Sequence, residues 1–253
     1  MRRALFICVL DSSAARPLFL QSHVFICQGK RHWVVLDVNR DKYLCIDRPQ
    51  FEALGPSLKG WELPAAGPSG SDVAAASEAA VALANSLLAL DILSDRATHA
   101  KDARPTAHLL PTEAIDPDSP PSRRSSGPHA ASFFLSSARA SRELRRQRFQ
   151  LIIEAVRARK NRNASRAGRP DFERTRSLVS VFERLRLFYP RSYLCLFDSL
   201  ALIHFLARFH VYPDWVFGVN ADPFEAHCWV QAGDVVLNDR VARVSAFTPI
   251  MHV

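Results

Sequence analysis

The sequence lacks a long apolar run, a paired-cysteine motif and a glycine-rich phosphate loop. Its five cysteines include no Cys-x-x-Cys pair and no cysteine–histidine spacing typical of zinc ligands, so no metal site is predicted. An odd, scattered set of thiols fits a reducing compartment and predicts a cytoplasmic protein. No apolar run approaches the roughly 18 residues that a membrane helix needs, so no membrane span is expected. Without a phosphate loop, we expect no nucleotide or other cofactor to bind to this chain.

The first ten residues resemble a secretory signal only weakly. Arg2 and Arg3 precede an apolar run from Ala4 to Leu10, but the run has only seven residues and Asp11 ends it. A secretory signal usually has a longer apolar region and a small-residue cleavage site. We therefore expect an irregular lead-in or an initial strand here.

The positive charge is confined to one segment. The chain has 253 residues, an apolar content of 48% and a net charge of +8, which fits one large or two modest domains. From Arg139 to Arg176 there are 13 arginines and lysines against four acidic residues, which gives +9 and leaves about −1 for the rest. Aromatic residues are sparse in this basic segment and it contains no nucleic-acid recognition motif. A solvated face of two helices, or a docking surface for a protein partner, is therefore favoured over a nucleic-acid interface.

Residues 17–93 have the pattern of three strands followed by two helices. The apolar and β-branched runs are short, and turn residues such as Gly29 and Asn39 separate them. The helical part follows Pro49 and then a periodic alanine- and leucine-rich stretch. The predicted elements are strands at 24–27, 33–38 and 43–46, a helix at 49–54, and a helix capped by Ser71 or Asp72 that runs to Ile92 or Leu93.

A proline- and serine-rich segment separates this unit from a second one. Residues 95–131 hold six prolines, so we predict a mobile or extended linker. Residues 132–253 then alternate between helical and strand patterns. The predicted elements are a basic helix at 140–159, a helix capped by Asp171, a helix at 194–209, and strands at 215–219, 224–231 and 235–238.

Cys195 opens the apolar helix of the second unit, and this position suits a nucleophile. A catalytic thiol must be a thiolate near neutral pH, and a helix N-terminus stabilises negative charge. Pro190-Arg191-Ser192 interrupts the chain just before the helix. Taken alone, a helical cysteine is more often a small core residue.

His227 and Asp239 follow in strands that fold back on each other. In the alternating segment from Phe224 to Gln231, His227 points away from the apolar face that carries Cys228. With a three-residue loop, Asp239 would lie on the same side as His227, whereas an even-length loop would place Asn238 there. Either side chain could orient the imidazole. The order Cys, His, Asp is that of a nucleophile, a base and an orienting carboxylate.

These residues lie in sequences that closely resemble the lasso-peptide maturation protease, the B protein. The resemblance covers about residues 190–240, where Cys228 stands at a position at which alanine or serine is expected. In the fused members of this family, a winged-helix-like module of the PqqD type precedes a transglutaminase-like, papain-type protease. The matching sequences are CLFDSLAL from Cys195, FGV from Phe217, PFEAHCWV from Pro223 and VLND from Val236.

The resemblance implies an α+β fold in three parts. Residues 1–94 would form the precursor-recognition module, residues 95–131 the linker, and residues 132–253 the cysteine protease domain. The module would capture the leader of a ribosomal precursor peptide by strand addition, in a groove between the third strand and the helix from Val73 to Leu90. The strand residues expected at this groove are Lys42, Tyr43, Leu44, Cys45 and Ile46.

The resemblance also implies a reaction and a partner. Cys195 would attack the carbonyl at the leader–core junction, His227 would move the proton, and Asp239 would hold the imidazole. An asparagine-synthetase-like macrolactam synthetase would then close the ring of the released core. Maturation in this family is linked to ATP, which we assign to that partner because this chain lacks a phosphate loop.

Two other functions remain open on the sequence alone. A transglutaminase-like site can pass its thioester to an amine, which would make the protein an acyltransferase. The chain could also be a non-catalytic scaffold that binds a peptide for the synthetase. A trapped product would distinguish the first alternative, and binding without cleavage would indicate the second.

Overall fold

The computed structural model describes residues 17–61, 73–98, 100–115, 127–163, 171–190 and 192–253. The initial strand before residue 17, the cap at Ser71 or Asp72 and the linker residues 116–126 lie outside this part. The elements, in chain order, are β1 (Phe19–Gln21), β2 (Val24–Gln28), β3 (His32–Asp37), β4 (Lys42–Asp47), α1 (Arg48–Leu54), a 3-10 turn (Gly55–Ser57), α2 (Val73–Ala89), β5 (Leu93–Ser94), β6 (Ala100–Lys101), β7 (Glu113–Ala114), α3 (Gly127–Arg146), α4 (Phe149–Asn163), α5 (Phe172–Arg186), α6 (Cys195–Ala207), β8 (Asp214–Ala221), β9 (Phe224–Ala232), β10 (Val235–Val236), α7 (Val241–Val244) and β11 (Thr248–His252).

The mixture of helices and antiparallel strands confirms the predicted α+β class. Contacts divide the chain into two compact units, one formed by residues 1–22 and 49–104 and the other by residues 23–48 and 105–253. None of the described helices has both the length and the apolar character that a membrane crossing requires.

The first unit contains a small antiparallel sheet that the sequence did not reveal. Its strand order is β5-β1-β6, and each strand has only two or three residues. Such short strands leave no alternating pattern to detect. The helix predicted at 49–54 is present as α1, whereas the helix predicted to reach Ile92 or Leu93 ends at Ala89, and Leu93 begins β5.

The predicted three-strand meander is present as the antiparallel sheet β2-β3-β4. One of its faces carries Cys27, Val34 and Leu36, which are fully buried in the same core as the C-terminal helices. The meander therefore belongs to the second compact unit. This division differs from the predicted boundaries at residues 94 and 131, because an apolar sheet face is stable only where another apolar surface covers it.

The second unit is built on a five-stranded sheet in the order β11-β8-β9-β10-β7. The predicted strands at 215–219 and 224–231 are present as the long antiparallel pair β8 and β9, and the third is reduced to the two residues of β10. Strands β7 and β11 were not predicted. Strand β7 lies in the segment interpreted as a linker and runs parallel to β10.

Residues 105–115 of the proline-rich segment are attached to the second compact unit. The hydroxyl of Thr106 donates a hydrogen bond to the backbone carbonyl of Ile250 in β11 at 2.7 Å. Ile115, just after β7, is buried in the core. Residues 105–115 thus pack against the five-stranded sheet.

Helix α6 lies at the centre of the second unit. Its sequence, CLFDSLALIHFLA, is apolar around most of its circumference, which predicts a helix buried on all sides. Ten of its 13 residues are buried, and α3, α5 and β9 all pack against it. This burial fixes the position of Cys195, the first residue of the helix, relative to the sheet.

The basic helix predicted at 140–159 is two helices. Helix α3 ends at Arg146 and α4 begins at Phe149. The buried residues of α3, such as Ala140, and those of α4, such as Ile152 and Val156, would lie on well-separated faces of one straight helix at 3.6 residues per turn. The break between the helices lets both apolar stripes face the core.

Buried hydrogen bonds join these helices to α6. His204 Nε2 lies 2.6 Å from a carboxylate oxygen of Glu143, and His204 Nδ1 lies 2.9 Å from the guanidinium of Arg159. Burial lowers the pKa of His204, so its neutral form donates from Nε2 to Glu143 and accepts at Nδ1 from Arg159. Arg139 also donates to Glu143 at 2.7 Å. Part of the basic segment therefore serves the fold and is not a free charged face.

Truncating the central helix should strongly destabilise the protein. Leu200 is fully buried in α6, so Leu200→Ala leaves a cavity and should lower the free energy of unfolding by about 2–5 kcal/mol. The matched control is Leu151→Ala in α4. The side chain of Leu151 is 50% exposed, so this substitution should change the free energy of unfolding by no more than about 0.5 kcal/mol. Urea unfolding measures both, and equal values would contradict the central position of α6.

Candidate active site

The backbone before Cys195 is held by a carboxylate from its own helix. Leu194, the residue before α6, has extended backbone angles and no side-chain cap of its own. Its N–H donates instead to Asp198 Oδ2 at 2.7 Å. This bond fixes the turn into the helix, and half-buried Cys195 follows at the positive end of the helix dipole.

The side chain of Arg186 ties the same carboxylate to the loop between α5 and α6. Its buried guanidinium forms an ion pair with Asp198 and donates to the backbone carbonyls of Ser192, at 3.1 Å, and Tyr189, at 3.3 Å. It also lies 4.3 Å from the ring centroid of Tyr193. The loop that leads to Cys195 is thus fastened at several points by one residue.

His227 is buried on β9 and is oriented by Asp239. Its Nε2 lies 2.6 Å from Asp239 Oδ2, and its ring centroid lies 5.0 Å from that of Phe247, with the two rings tilted by 37°. The other carboxylate oxygen of Asp239 accepts the N–H of Arg240 at 2.8 Å. Because Nε2 is engaged by Asp239, Nδ1 is the ring nitrogen left for the hydrogen bond with Cys195.

The structure places Asp239 beside His227, although the loop is of the even-length kind. Val235 pairs with Ala232, so the loop between β9 and β10 has two residues, and Gly233 in it has a φ of 64°. By the alternation of strand side chains, Asn238 should then have faced His227. The alternation fails because β10 ends at Val236 and the chain leaves the strand before Asn238.

Asn238 instead supports the backbone around the site. Its side-chain oxygen accepts the N–H of Val230 at 2.7 Å, and its amide donates to the hydroxyl of Ser199 at 3.2 Å. Ser199 in turn donates to the backbone carbonyl of Cys228 at 3.2 Å. These bonds connect α6 to the strand that carries His227.

The electrostatics of the site favour a thiolate–imidazolium pair. Hydrogen bonds from Cys228 and from His227 outweigh burial and lower the pKa of Cys195 to about 4. Burial opposes the charge on His227, but its hydrogen bonds to Asp239 and Cys195 dominate and raise its pKa to about 9. Between these values Cys195 is a thiolate and His227 is an imidazolium. A thiolate next to a proton donor can attack a carbonyl and protonate the leaving group.

The sequence analysis missed the role of Cys228. It was treated as a small residue on the apolar face of β9, tolerated in place of alanine or serine. In the structure, Cys228 is buried, and its hydrogen bond is the largest influence that lowers the pKa of Cys195. Its own pKa is raised well above the usual value by burial and by Cys195, so its thiol keeps its proton and can donate it.

The residues predicted to bind the leader lie on β4, and one of them, Tyr43, lies near Cys195. The ring of Tyr43 lies 5.4 Å from the ring of Phe224 on β9. Burial raises the pKa of Tyr43, and the nearby negative charges of Asp41 and Cys195 raise it further. Lys42 and Cys45 are exposed and Leu44 is half-buried, but Ile46 is buried, so its side chain packs in the core.

A cavity of about 540 Å³ opens next to Asp239. Its wall is formed by α5 and α7 and by the chain between β10 and α7. Glu183 is the carboxyl group on the α5 side, and burial followed by the charge of Asp198 raises its pKa to about 7. The cavity is also lined by apolar Val179, Leu237 and Ala242 and by basic Arg240 and Arg243.

The pH dependence of alkylation should distinguish Cys195 from the other thiols. Because its pKa is about 4, its reaction with iodoacetamide should be at a plateau by about pH 6. Cys45 is an internal control, since it is exposed and burial raises its pKa above the usual 9.0. Mass spectrometry of the two labelled peptides measures both rates.

Two variants identify the cause of that difference. His227→Ala and Cys228→Ala each remove a hydrogen bond to the thiolate, so each should move the onset of Cys195 alkylation to higher pH. Identical pH profiles for Cys195 and Cys45 in the unmodified protein would show that the thiolate is not stabilised.

Comparison with known proteins agrees with this site. Neither the curated proteins nor the solved structures include a match to the chain. Among protein-family models, the one described as the transglutaminase-like superfamily matches residues 134–252, a range that includes Cys195, His227 and Asp239. The match suggests a cysteine-protease-like enzyme. Residues 134–252 thus contain a transglutaminase-like domain with a cysteine, a histidine and an aspartate at its candidate active site.

Proposed function

We propose that this protein is a leader peptidase that hydrolyses the amide bond between the leader and the core of a ribosomal precursor during lasso peptide maturation. The observation that carries the proposal is the Cys195 thiol, whose pKa is about 4, next to the His227–Asp239 pair. A stabilised thiolate with an adjacent imidazolium is the arrangement used to cleave amides through a thioester. The resemblance of residues 190–240 to the lasso-peptide B protein supports the choice of substrate.

Each of the three residues has a defined role in this reaction. The Cys195 sulfur forms a bond to the scissile carbonyl carbon, and the developing oxyanion is stabilised by the backbone N–H of Cys195 at the start of α6. His227 gives its Nδ1 proton to the departing amine of the core, so the amide bond breaks and a leader thioester remains. The now neutral His227 removes a proton from water, which attacks the thioester and releases the leader carboxylate. Asp239 holds the imidazole through Nε2 in both steps.

The leader would bind along the outer edge of β4. Among the described residues, β4 pairs only with β3, so its other edge has backbone groups that an extended peptide can bind. Lys42, Tyr43, Leu44 and Cys45 would add side-chain contacts, whereas Ile46 would contribute its backbone alone. The predicted groove also used α2, which belongs to the other compact unit, so the PqqD-type arrangement remains a proposal.

The position of Tyr43 supports a direct path from β4 to the active site. The negative charge of Cys195 acts on Tyr43, and the ring of Tyr43 contacts Phe224 on the strand of His227. A peptide bound to β4 would therefore have its next residues close to Cys195. The cavity beside Asp239 would accept a side chain from this part of the substrate.

A partner would complete the maturation. We assign ring closure and its ATP requirement to an asparagine-synthetase-like macrolactam synthetase, which would receive the core with its new amino terminus. The exposed arginines of the basic segment, among them Arg142, Arg146 and Arg148, are the proposed docking surface. A positively charged protein surface favours an acidic partner and speeds its association.

A second candidate function is acyl transfer. The same thioester could react with an amine in place of water, because the transglutaminase-like match fits both outcomes. Hydrolysis gives a leader with a free carboxylate, whereas acyl transfer gives a leader joined to the amine. The mass of the leader product distinguishes these reactions.

The decisive experiment is mass spectrometry of precursor peptides encoded near this gene, with and without the synthetase. We expect a leader fragment with a free carboxylate from the unmodified protein and none from Cys195→Ala. The control is Cys8→Ala, which removes another thiol and should cleave at the normal rate. Leader binding without cleavage under both conditions would contradict the peptidase and leave a peptide-binding scaffold.

A further inference from the structure

A group of potential metal ligands lies on the five-stranded sheet, at the end of β8 that is away from His227. His108, Asp214 and His252 each offer one ligand atom, and these three atoms lie within 4.8 Å of one another. They come from the 105–115 segment, the first residue of β8 and the last residue of β11. Asp214 pairs with Gln231 of β9, four residues along the strand from His227, so the group is separate from the active site.

The distances within the group suit a small divalent cation. His108 Nε2 lies 3.5 Å from Asp214 Oδ2, and His252 Nδ1 lies 3.9 Å from Asp214 Oδ1. In tetrahedral zinc sites, with bonds of about 2.0–2.1 Å, neighbouring ligand atoms are about 3.4 Å apart. The three ligand atoms lie within 4.8 Å of one another, so side-chain rotations that draw them together would bring them to that spacing.

The orientation of the His108 ring suits a ligand role. Its Nδ1 lies 3.0 Å from the backbone carbonyl of Leu109. Its Nε2 faces the carboxylate of Asp214 at 3.5 Å and is the ring nitrogen available to a metal ion. Metal-binding histidines very often donate their other ring N–H to a backbone carbonyl in this way. The side chain of His108 is only 5% exposed, which limits competition from water.

Lys160 competes with a cation at this position. Its ammonium contacts Asp214 Oδ1 and donates to the backbone carbonyl of Val253 at 3.2 Å. Lysine has a long, flexible side chain and can swing away, while Oδ2 of Asp214 faces His108. A metal ion would therefore bind against the repulsion of one nearby positive charge, and removing that charge should strengthen binding.

We propose that His108, Asp214 and His252 bind a divalent transition-metal ion of the zinc class. Two imidazoles and one carboxylate are ligands typical of Zn²⁺, Co²⁺, Ni²⁺ and Fe²⁺, and water would complete the coordination. The ion would cross-link the 105–115 segment and β11 to the start of β8. Its role would be to stabilise the sheet that carries His227, without taking part in the reaction.

The test is calorimetric titration of the metal-free protein with Zn²⁺. All proteins carry Cys195→Ala, because the Cys195 thiolate and His227 could themselves bind zinc. We expect one saturable site, and His252→Ala should weaken it by at least about 10-fold. The matched control is His32→Ala, which removes an imidazole 3.2 Å from Asp47, a histidine–aspartate pair outside the group, and should leave the affinity unchanged.

A second variant tests the same site in the opposite direction. Lys160→Met removes the competing ammonium, so it should tighten Zn²⁺ binding, and Zn²⁺ should raise the melting temperature of this variant more than that of its parent. Circular dichroism shows whether each variant is folded. Absence of a saturable site in both the parent and Lys160→Met, or equal affinities with and without His252, would overturn the proposal and leave an ion-pair cluster.

Discussion

The candidate active site depends on the carboxylate of Asp198, which holds the start of α6. It accepts the N–H of Leu194 and pairs with the buried guanidinium of Arg186, which in turn binds the carbonyls of the preceding loop. A buried charge without its partner costs several kcal/mol, so the two side chains keep each other in place. Because α6 is buried on all sides, the residue at its first position has little freedom to move. The fold thus fixes the position of Cys195, the candidate nucleophile, without the help of a substrate.

The chemistry of the site follows from the charges on Cys195, His227 and Asp239. Cys195 becomes an anion because Cys228 and His227 donate to it at the positive end of a helix, and His227 becomes a cation because Asp239 and Cys195 both stabilise it. Cys228 keeps its proton in a buried position and so remains a donor. This arrangement suits a reaction in which a sulfur attacks a carbonyl and a ring nitrogen protonates the leaving group. It fits both hydrolysis and acyl transfer, which differ in whether water or an amine attacks the thioester.

Patterns in the sequence predicted the parts of this protein whose structure depends on residues close together in the chain. The start of α6 at Cys195, the cap of α5 by Asp171 and the β8–β9 pair were all visible, because each rests on neighbouring residues. The two-residue strands, the break between α3 and α4 and the grouping of the meander with the C-terminal unit depend on distant packing. Asp239 was chosen by an alternation argument that the short β10 does not obey. The His108 group was invisible because its members are 106 and 38 residues apart along the chain.

The most direct test of the thiolate–imidazolium pair is the protonation state of His227, measured by nitrogen NMR of the imidazole from about pH 5 to pH 10. Both ring nitrogens should carry protons at neutral pH in the unmodified protein, with loss of one proton near the pKa of about 9. In Cys195→Ala the thiolate is gone, and the pKa of His227 should fall. A neutral His227 at pH 7 that titrates identically in both proteins would contradict the account, because the cysteine would then be an ordinary thiol beside an ordinary histidine.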